Sequence, residues 1–262
     1  MLARPLFSCF HIAYDFAQLQ PESANQPLPD GCLSELALCC SLFALWAADL
    51  SRPWLSVMTA TDASGSHGFG MCMSKCSPAL SRQVAAAAGE GDMVARLHWQ
   101  AGDPPELPRN GDVFRLPLSM DDFTDVFSIK ADYVAHSGAL ELEAVRLSLL
   151  RLTRVQRRHG HRGVVLADAK VVGSALLKGR TSARTLTRGC SSCGAIQLAA
   201  DLRLVFPYLP SESNPADWPS RGKTRKRGYK PTRRSNSIAP LVSKSQQDRR
   251  ALRRLRQCAV WD

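Results

Sequence analysis

Between Leu6 and Ser51 the chain has no lysine or arginine, while Asp15, Glu22, Asp30, Glu35 and Asp49 are acidic, so the net charge of +11 must come from elsewhere. Long apolar runs are also lacking. The most apolar one, Leu36 to Ala48, lies between Glu35 and Asp49 and is too short to cross a bilayer. Met1 to His11 is apolar with Arg4 near the front, but it has no signal core followed by a cleavage site. It reads as well as a fragment boundary. The nine cysteines are odd in number and irregularly spaced, which argues against a disulfide framework in 262 residues and for a reducing compartment. The expectation is a soluble intracellular protein without a membrane partner.

What is present suits one sizeable domain with extensions: 45% of residues are hydrophobic and 22% charged, enough to bury a core. Residues 221 to 256 carry 14 Lys and Arg against Asp248 alone, a local +13, which leaves −2 for the remainder. The basic character therefore belongs to the tail.

Leu33 to Leu50 places Leu36, Cys40, Phe43 and Ala47 at helical spacing and predicts a helix with one buried face. Leu55 to Thr61 is an extended, β-branched-rich run ending on Asp62; Ala63 to Gly68 is a small-residue turn, and extension resumes at Phe69, which predicts a hairpin. A short helix is expected within Cys76 to Gly91, a third strand over Met93 to Trp99, and a Pro-, Asp- and Gly-rich loop over Ala101 to Asp125. Val126 to Tyr133 reads as extended. Ala139 to His159 is the strongest helix, with Leu142, Val145, Leu149 and Leu152 in one stripe, and with Arg146, Arg151, Arg154, Arg157 and Arg158 on other faces, crowded where they suit the helix dipole. A strand over Arg162 to Ala167 and a helix over Lys170 to Lys178 follow. Ser182 to Ala200 reads as a helix interrupted near Gly189 to Gly194, Leu202 to Leu209 as a last strand, and Asn214 to Arg221 as a turn with a short helix. Hairpin strands followed by alternating helix and strand predict a mixed α/β sheet flanked by helices, with a site at the carboxyl ends of its parallel strands.

Four acids stand near element ends: Asp62, Glu141, Asp168 and Asp217. Carboxylate oxygens are the ligands magnesium prefers, and facing acids repel one another unless cations lie between them. Each has a plainer reading: Asp62 as a turn cap, Glu141 as a helix N-terminal acid, Asp168 as an N-cap and Asp217 in an Asx turn. Glu143 is the rival of Glu141 within ELEA.

In their order these residues resemble a known family. The hairpin Asp62 with its Gly-rich turn, the E-L-x-A of Glu141 to Ala144, the strand-ending Asp168 and the N-P-A-D-x-x-S-R of Asn214 to Arg221 look like ribonuclease H, above all the version in reverse-transcriptase polyproteins of tyrosine-recombinase-type retrotransposons. The resemblance spans about residues 54 to 221. It implies a ribonuclease H-like mixed five-stranded sheet over 52–221 with an insertion at about 77–128, after a connection segment over 1–51 that follows a polymerase domain. It implies Asp62, Glu141, Asp168 and Asp217 as catalytic ligands of two Mg2+ ions, or of Mn2+, hydrolysing the RNA strand of RNA/DNA hybrids. Ser137-Gly138 stands where relatives often have Ile-Asn. Other readings are a decayed or domesticated remnant that binds nucleic acid without cutting it, and a DNA nuclease or integrase-like enzyme on the same fold.

Nucleic-acid contacts are expected from Lys178, Arg180 and Ser182, which also read as a helix end with a Gly cap, and from the tail through Arg221, Lys223, Arg225, Lys226 and Arg227. Dense cations bind phosphates by counterion release, independently of sequence; a disordered solubilising or nuclear-localisation segment is the alternative. Cys190 and Cys193 have metal or redox spacing but no second ligand pair, and read as core or surface thiols. His159 and His161 read as a solvated loop, with product release near a metal site as the alternative.

Overall fold

A computed structural model describes residues 3–19, 26–45, 47, 49–88, 94–97 and 113–223; Arg225, Lys226, Arg227 and the rest of the tail lie outside the described residues, as do residues 101–112 of the loop expected over 101–125. A 3-10 turn at Arg4–Cys9 opens the chain, followed by α1 (Ile12–Leu19) and α2 (Asp30–Ser41). Next come β1 (Trp54–Ala63), β2 (Gly68–Lys75), α3 (Pro78–Ala88), β3 (Val94–Arg96), β4 (Val113–Arg115) and β5 (Thr124–Lys130). The rest is α4 (Ser137–Thr153), β6 (Arg162–Ala167), α5 (Lys170–Lys178), α6 (Arg184–Ala199), β7 (Arg203–Val205) and α7 (Asp217–Ser220).

Five strands form a mixed sheet in the order β5-β2-β1-β6-β7. The β5/β2 and β2/β1 pairs are antiparallel, and β1/β6 and β6/β7 are parallel. The architecture is the expected α/β one, a ribonuclease H-like mixed five-stranded sheet flanked by helices. Alternation along β1 explains why both faces are covered. Met58 and Ala60 join Val164 and Leu166 under α3, while Val165, one position on, lies with Met71 under Leu142, Val145, Leu149 and Leu152 of α4. Each fully buried leucine there contributes about 1.5–3 kcal/mol relative to an exposed one.

Several expectations need correction. The described part of the stretch read as a third strand, residues 94–97, holds β3, which pairs in parallel with β4 in a separate two-stranded sheet; the third main-sheet strand is β5. The last strand shortens to Arg203–Val205 with an isolated bridge from Tyr208 to Ala167, consistent with Pro207 withholding a ladder donor. Helix α2 begins at Asp30 and ends at Ser41, and the face expected to be buried is exposed: Phe43 is 72% accessible, while Cys32 and Cys39 are buried.

Helix α6 is not interrupted. Its glycines serve close packing instead: a Cβ on Gly189 would stand 2.6 Å from a Leu142 methyl, and one on Gly194 would stand 2.8 Å from the Pro5 carbonyl and 2.6 Å from Ser8 Oγ. The N-terminal turn seats itself in the groove so opened, with Ala3 and Leu6 buried and Ser191 Oγ donating to the Ser8 carbonyl at 2.9 Å. Glu35 of α2 accepts the backbone N–H groups of His11, Ile12 and Ala13, all at 2.9 Å, and so caps α1 from another helix.

Helix α7 is brought against the hairpin by a glycine. A Cβ on Gly70 of β2 would stand 2.5 Å from both the Ala216 carbonyl and the Ser220 nitrogen. Ser128 of β5 adds a 2.6 Å hydrogen bond to the Pro219 carbonyl. Gly70→Val is expected to destabilise the protein by about 1–3 kcal/mol, as overpacking against rigid backbone does; a melting curve that matches the unsubstituted protein would refute this packing.

Candidate metal centre

The register of β1 and β6 builds the site. Thr61 pairs with Ala167 across parallel strands, so the next residue of each strand end, Asp62 and Asp168, emerge side by side at the carboxyl edge of the sheet. Thr59 and Thr61 lock the two strands further, their hydroxyls reaching the Val164 and Leu166 carbonyls at 3.4 and 3.5 Å. Glu141 arrives from the first turns of α4. That helix starts where His136 caps it, its Nδ1 accepting from Gly138 N at 3.1 Å. The hydrophobic stripe then presses α4 on the sheet and sets Glu141 over the end of β1, where its Oε1 accepts from Ala63 N at 3.3 Å.

One oxygen each from Asp62, Glu141 and Asp168 lie within 4.8 Å of one another. Glu143, the rival in ELEA, points elsewhere: Arg146 holds it through two bonds of 2.6 and 2.7 Å. Asp217 lies outside the trio. Arg221 grips its Oδ1 through Nε at 2.8 Å and Nη2 at 2.7 Å, although its charge is felt at Asp62. An exposed i,i+4 pair of this kind is worth only about 0.3–0.5 kcal/mol, so Asp217 is lightly held.

Charge and burial make the trio costly without a cation. Asp62 is 4% accessible; loss of solvation and then the neighbouring Asp168 carboxylate push its pKa up to about 8, with a smaller contribution from Asp217. The Ser220 hydroxyl opposes that shift. Glu141 is pushed up to about 9, first by burial and then by Asp168 and Asp62, against the Ala63 N–H. Ser211 donates to Asp168 Oδ2 at 2.7 Å, whereas Oδ1 is buried and receives no hydrogen bond. An all-oxygen donor set with one orphaned buried acceptor fits Mg2+ or Mn2+ better than a soft metal.

Sequence reading missed the supports of the acids. Asn214 is fully buried, its Nδ2 donating to the Thr61 carbonyl at 2.9 Å and its Oδ1 accepting from Ala216 N at 3.0 Å, which ties the α7 loop to the end of β1. The N-P-A-D string carried that signal; for Ser211 no signal in the sequence exists.

The remaining candidates lie elsewhere. Lys178 ends α5, which starts two residues after Asp168 and so carries Lys178 about 12 Å away along its axis. Gly179 there takes φ +70° as a left-handed cap, and Arg180 stacks on Tyr14 at 4.6 Å. Lys178, Arg180 and Ser182 are exposed around that docked N-terminal segment, not beside the acids. Arg221 and Lys223 are exposed next to α7. Cys190 and Cys193 are core thiols facing α4; burial pushes Cys190 up to about 11 and Cys193 higher still. His159 and His161 precede β6, at the end opposite Asp168, and bond the Thr153 and His159 carbonyls at 2.8 Å. Among the described residues no helix is long and apolar enough to cross a membrane.

Fold and site together define an α/β protein with a carboxylate cluster suited to a divalent cation. No family model matches the chain, and no curated protein matches it either.

The raised values fix a pH dependence. Between about pH 4 and the folded values near 8 and 9, the folded metal-free state retains protons that the unfolded chain releases, so stability is greatest on the acid side and falls as pH rises. Each unit corresponds to about 1.4 kcal/mol, so a loss of several kcal/mol is expected between pH 5 and 9 in EDTA. Glu141→Gln flattens the melting-temperature profile, and millimolar Mg2+ restores the alkaline side. A profile that rises with pH in EDTA would contradict the clustering of these acids.

Proposed function

We propose that the chain is a ribonuclease H-type nuclease, a metal-dependent endonuclease hydrolysing the RNA strand of RNA/DNA hybrids as part of a retroelement reverse transcriptase. The observation that carries this reading is the convergence of Asp62, Glu141 and Asp168 within 4.8 Å at the carboxyl edge of β1 and β6. The resemblance at E-L-x-A and N-P-A-D-x-x-S-R supports it, because those motifs supply Glu141 and the loop that Asn214 fastens beside the trio.

An anionic phosphodiester cannot approach this many acids unpaired. Asp62, Glu141 and Asp168 would hold Mg2+, or Mn2+ in its place, which would supply positive charge toward the phosphate and Lewis acidity toward water. The chain's own part is to fix the acids. Ser211 and the Ala63 N–H each occupy one oxygen of Asp168 and Glu141, which orients their carboxylates. Burial of Asp62 excludes competing water. Asp217, paired with Arg221 beside the trio, would be the further carboxylate available to such an ion.

A labelled RNA/DNA hybrid is expected to be cut in Mg2+ and left intact in EDTA. Asp62→Asn, Glu141→Gln or Asp168→Asn lowers the rate about a hundredfold or more, the scale on which losing one preorganised electrostatic group acts. Glu143→Gln leaves it unchanged. Cutting of DNA alone would replace this reading by a DNA nuclease, and binding of the hybrid without any cutting by an inactive remnant.

A further inference from the structure

Helix α4 carries Glu141 at one end and a group of uncompensated cations at the other. Elsewhere in the fold Arg162 and Arg180 lie over the Trp54 and Tyr14 rings, and Arg52, Arg146, Arg184, Arg203 and Arg221 each have a carboxylate partner. Among the described residues none of Arg151, Arg154, Arg157 and Arg158 has one. Arg151, Arg154 and Arg157 are exposed. Arg158 is partly buried, its Nη2 3.6 Å from Met73 Sδ on β2. Its guanidinium is held below the usual value by burial and then by Arg157 and Arg151, so these charges crowd one another.

Their placement is set by the helix. Leu140, Ala144, Leu147, Arg151 and Arg154 follow one another at alternating steps of four and three, which is a single face of α4. The first three of these pack around Phe69 and Phe127 of β2 and β5. The same face then continues as arginine over β2, and Lys75, two residues beyond Met73 on the same side of that strand, extends it. Complementing the helix dipole accounts for a single cation in the last turn, not for four crowded ones.

We propose that the arginine cluster at the C-terminal end of α4 is a phosphate-contact surface that grips the backbone of a nucleic-acid duplex at a distance from the acid cluster. Thirteen residues separate Glu141 from Arg154, about 20 Å along the helix. At about 3.4 Å per phosphate on each strand, that is about six nucleotides. A row of cations continuing from the helix that holds Glu141 matches a stiff rod of evenly spaced phosphates. It matches an acidic protein or a lipid surface less well, since neither requires alignment with the far end of the helix. The proposal rests on the reading of the chain as acting on a duplex, but it concerns binding and is measured without cleavage.

The test compares the full chain with Arg151→Gln/Arg154→Gln/Arg157→Gln, titrated in EDTA against a labelled RNA/DNA hybrid of about 18 base pairs, long enough to reach from acids to arginines at the spacing above. The tail contributes equally to both proteins. Each lost phosphate contact lowers the slope of log affinity against log salt by about 0.9, so the triple variant is expected to lose about 2–3 from the slope and to bind about tenfold or more weakly at low salt. Arg188→Gln, an exposed arginine of α6 outside the cluster, leaves the slope unchanged. Equal slopes for the triple variant and the unsubstituted chain, with matching melting curves, would overturn the proposal. Equal slopes together with lost binding to anionic phospholipid vesicles would overturn it in favour of a lipid surface. Cluster-dependent binding without cleavage in Mg2+ keeps this proposal and removes the nuclease; cleavage with a cluster-independent slope does the reverse.

Discussion

Mutual repulsion among one buried and two half-buried carboxylates at one sheet edge is the constraint around which the molecule is arranged. Parallel pairing of β1 with β6 forces Asp62 and Asp168 together, and the apolar stripe of α4 leaves Glu141 no other place to go. The surrounding polar groups do not cancel that repulsion. Ser211, Ser220 and the Ala63 N–H each ease it in part, and Asp168 Oδ1 is left with nothing. A fold stabilised mainly by its apolar layers carries this unfavourable cluster as a local exception, the pattern expected where a binding site overrides stability.

Two kinds of packing keep the cluster in place. The covered sheet supplies rigidity, because both faces of β1 and β6 are buried and neither strand can slip by one residue without moving Met58, Ala60 and Leu166 out of the layer under α3 and into the one under α4. The loop around α7 supplies position. Gly70 lets it approach β2, Asn214 fastens it to β1, and Ser128 holds it to β5. Asp217 and Ser220 therefore reach the neighbourhood of Asp62 through three separate strands of one sheet.

Sequence carried the site better than it carried the layout. The acids were legible through the order of motifs that resembles ribonuclease H, and the choice of Glu141 over Glu143 followed from the E-L-x-A pattern and their separation around a helix; Asp217, expected with them, lies outside the trio. The central hairpin and the α4, β6 and α5 steps were legible because alternation and helical spacing are local signals. What escaped was set by distant partners. Gly189 and Gly194 read as breaks in α6 because glycine lowers local helix propensity, whereas Leu142 and the Pro5–Ser8 turn need the room. Met93 to Trp99 read as a sheet strand because periodicity cannot tell which sheet a strand joins. The apolar residues of α2 suggested a buried face, but the helix leaves Leu36 and Phe43 exposed.

The seat of the N-terminal turn in the groove of α6 bears on where this unit can be cut. Ala3 and Leu6 are inside, the Ser8 carbonyl is satisfied by Ser191, and α1 borrows its cap from Glu35 of α2. A fragment started at the first strand would therefore bare a furrow lined by glycine and leave the Ser191 hydroxyl only its own helix's Thr187 carbonyl as acceptor. The acidic N-terminal segment behaves as a clasp across α6.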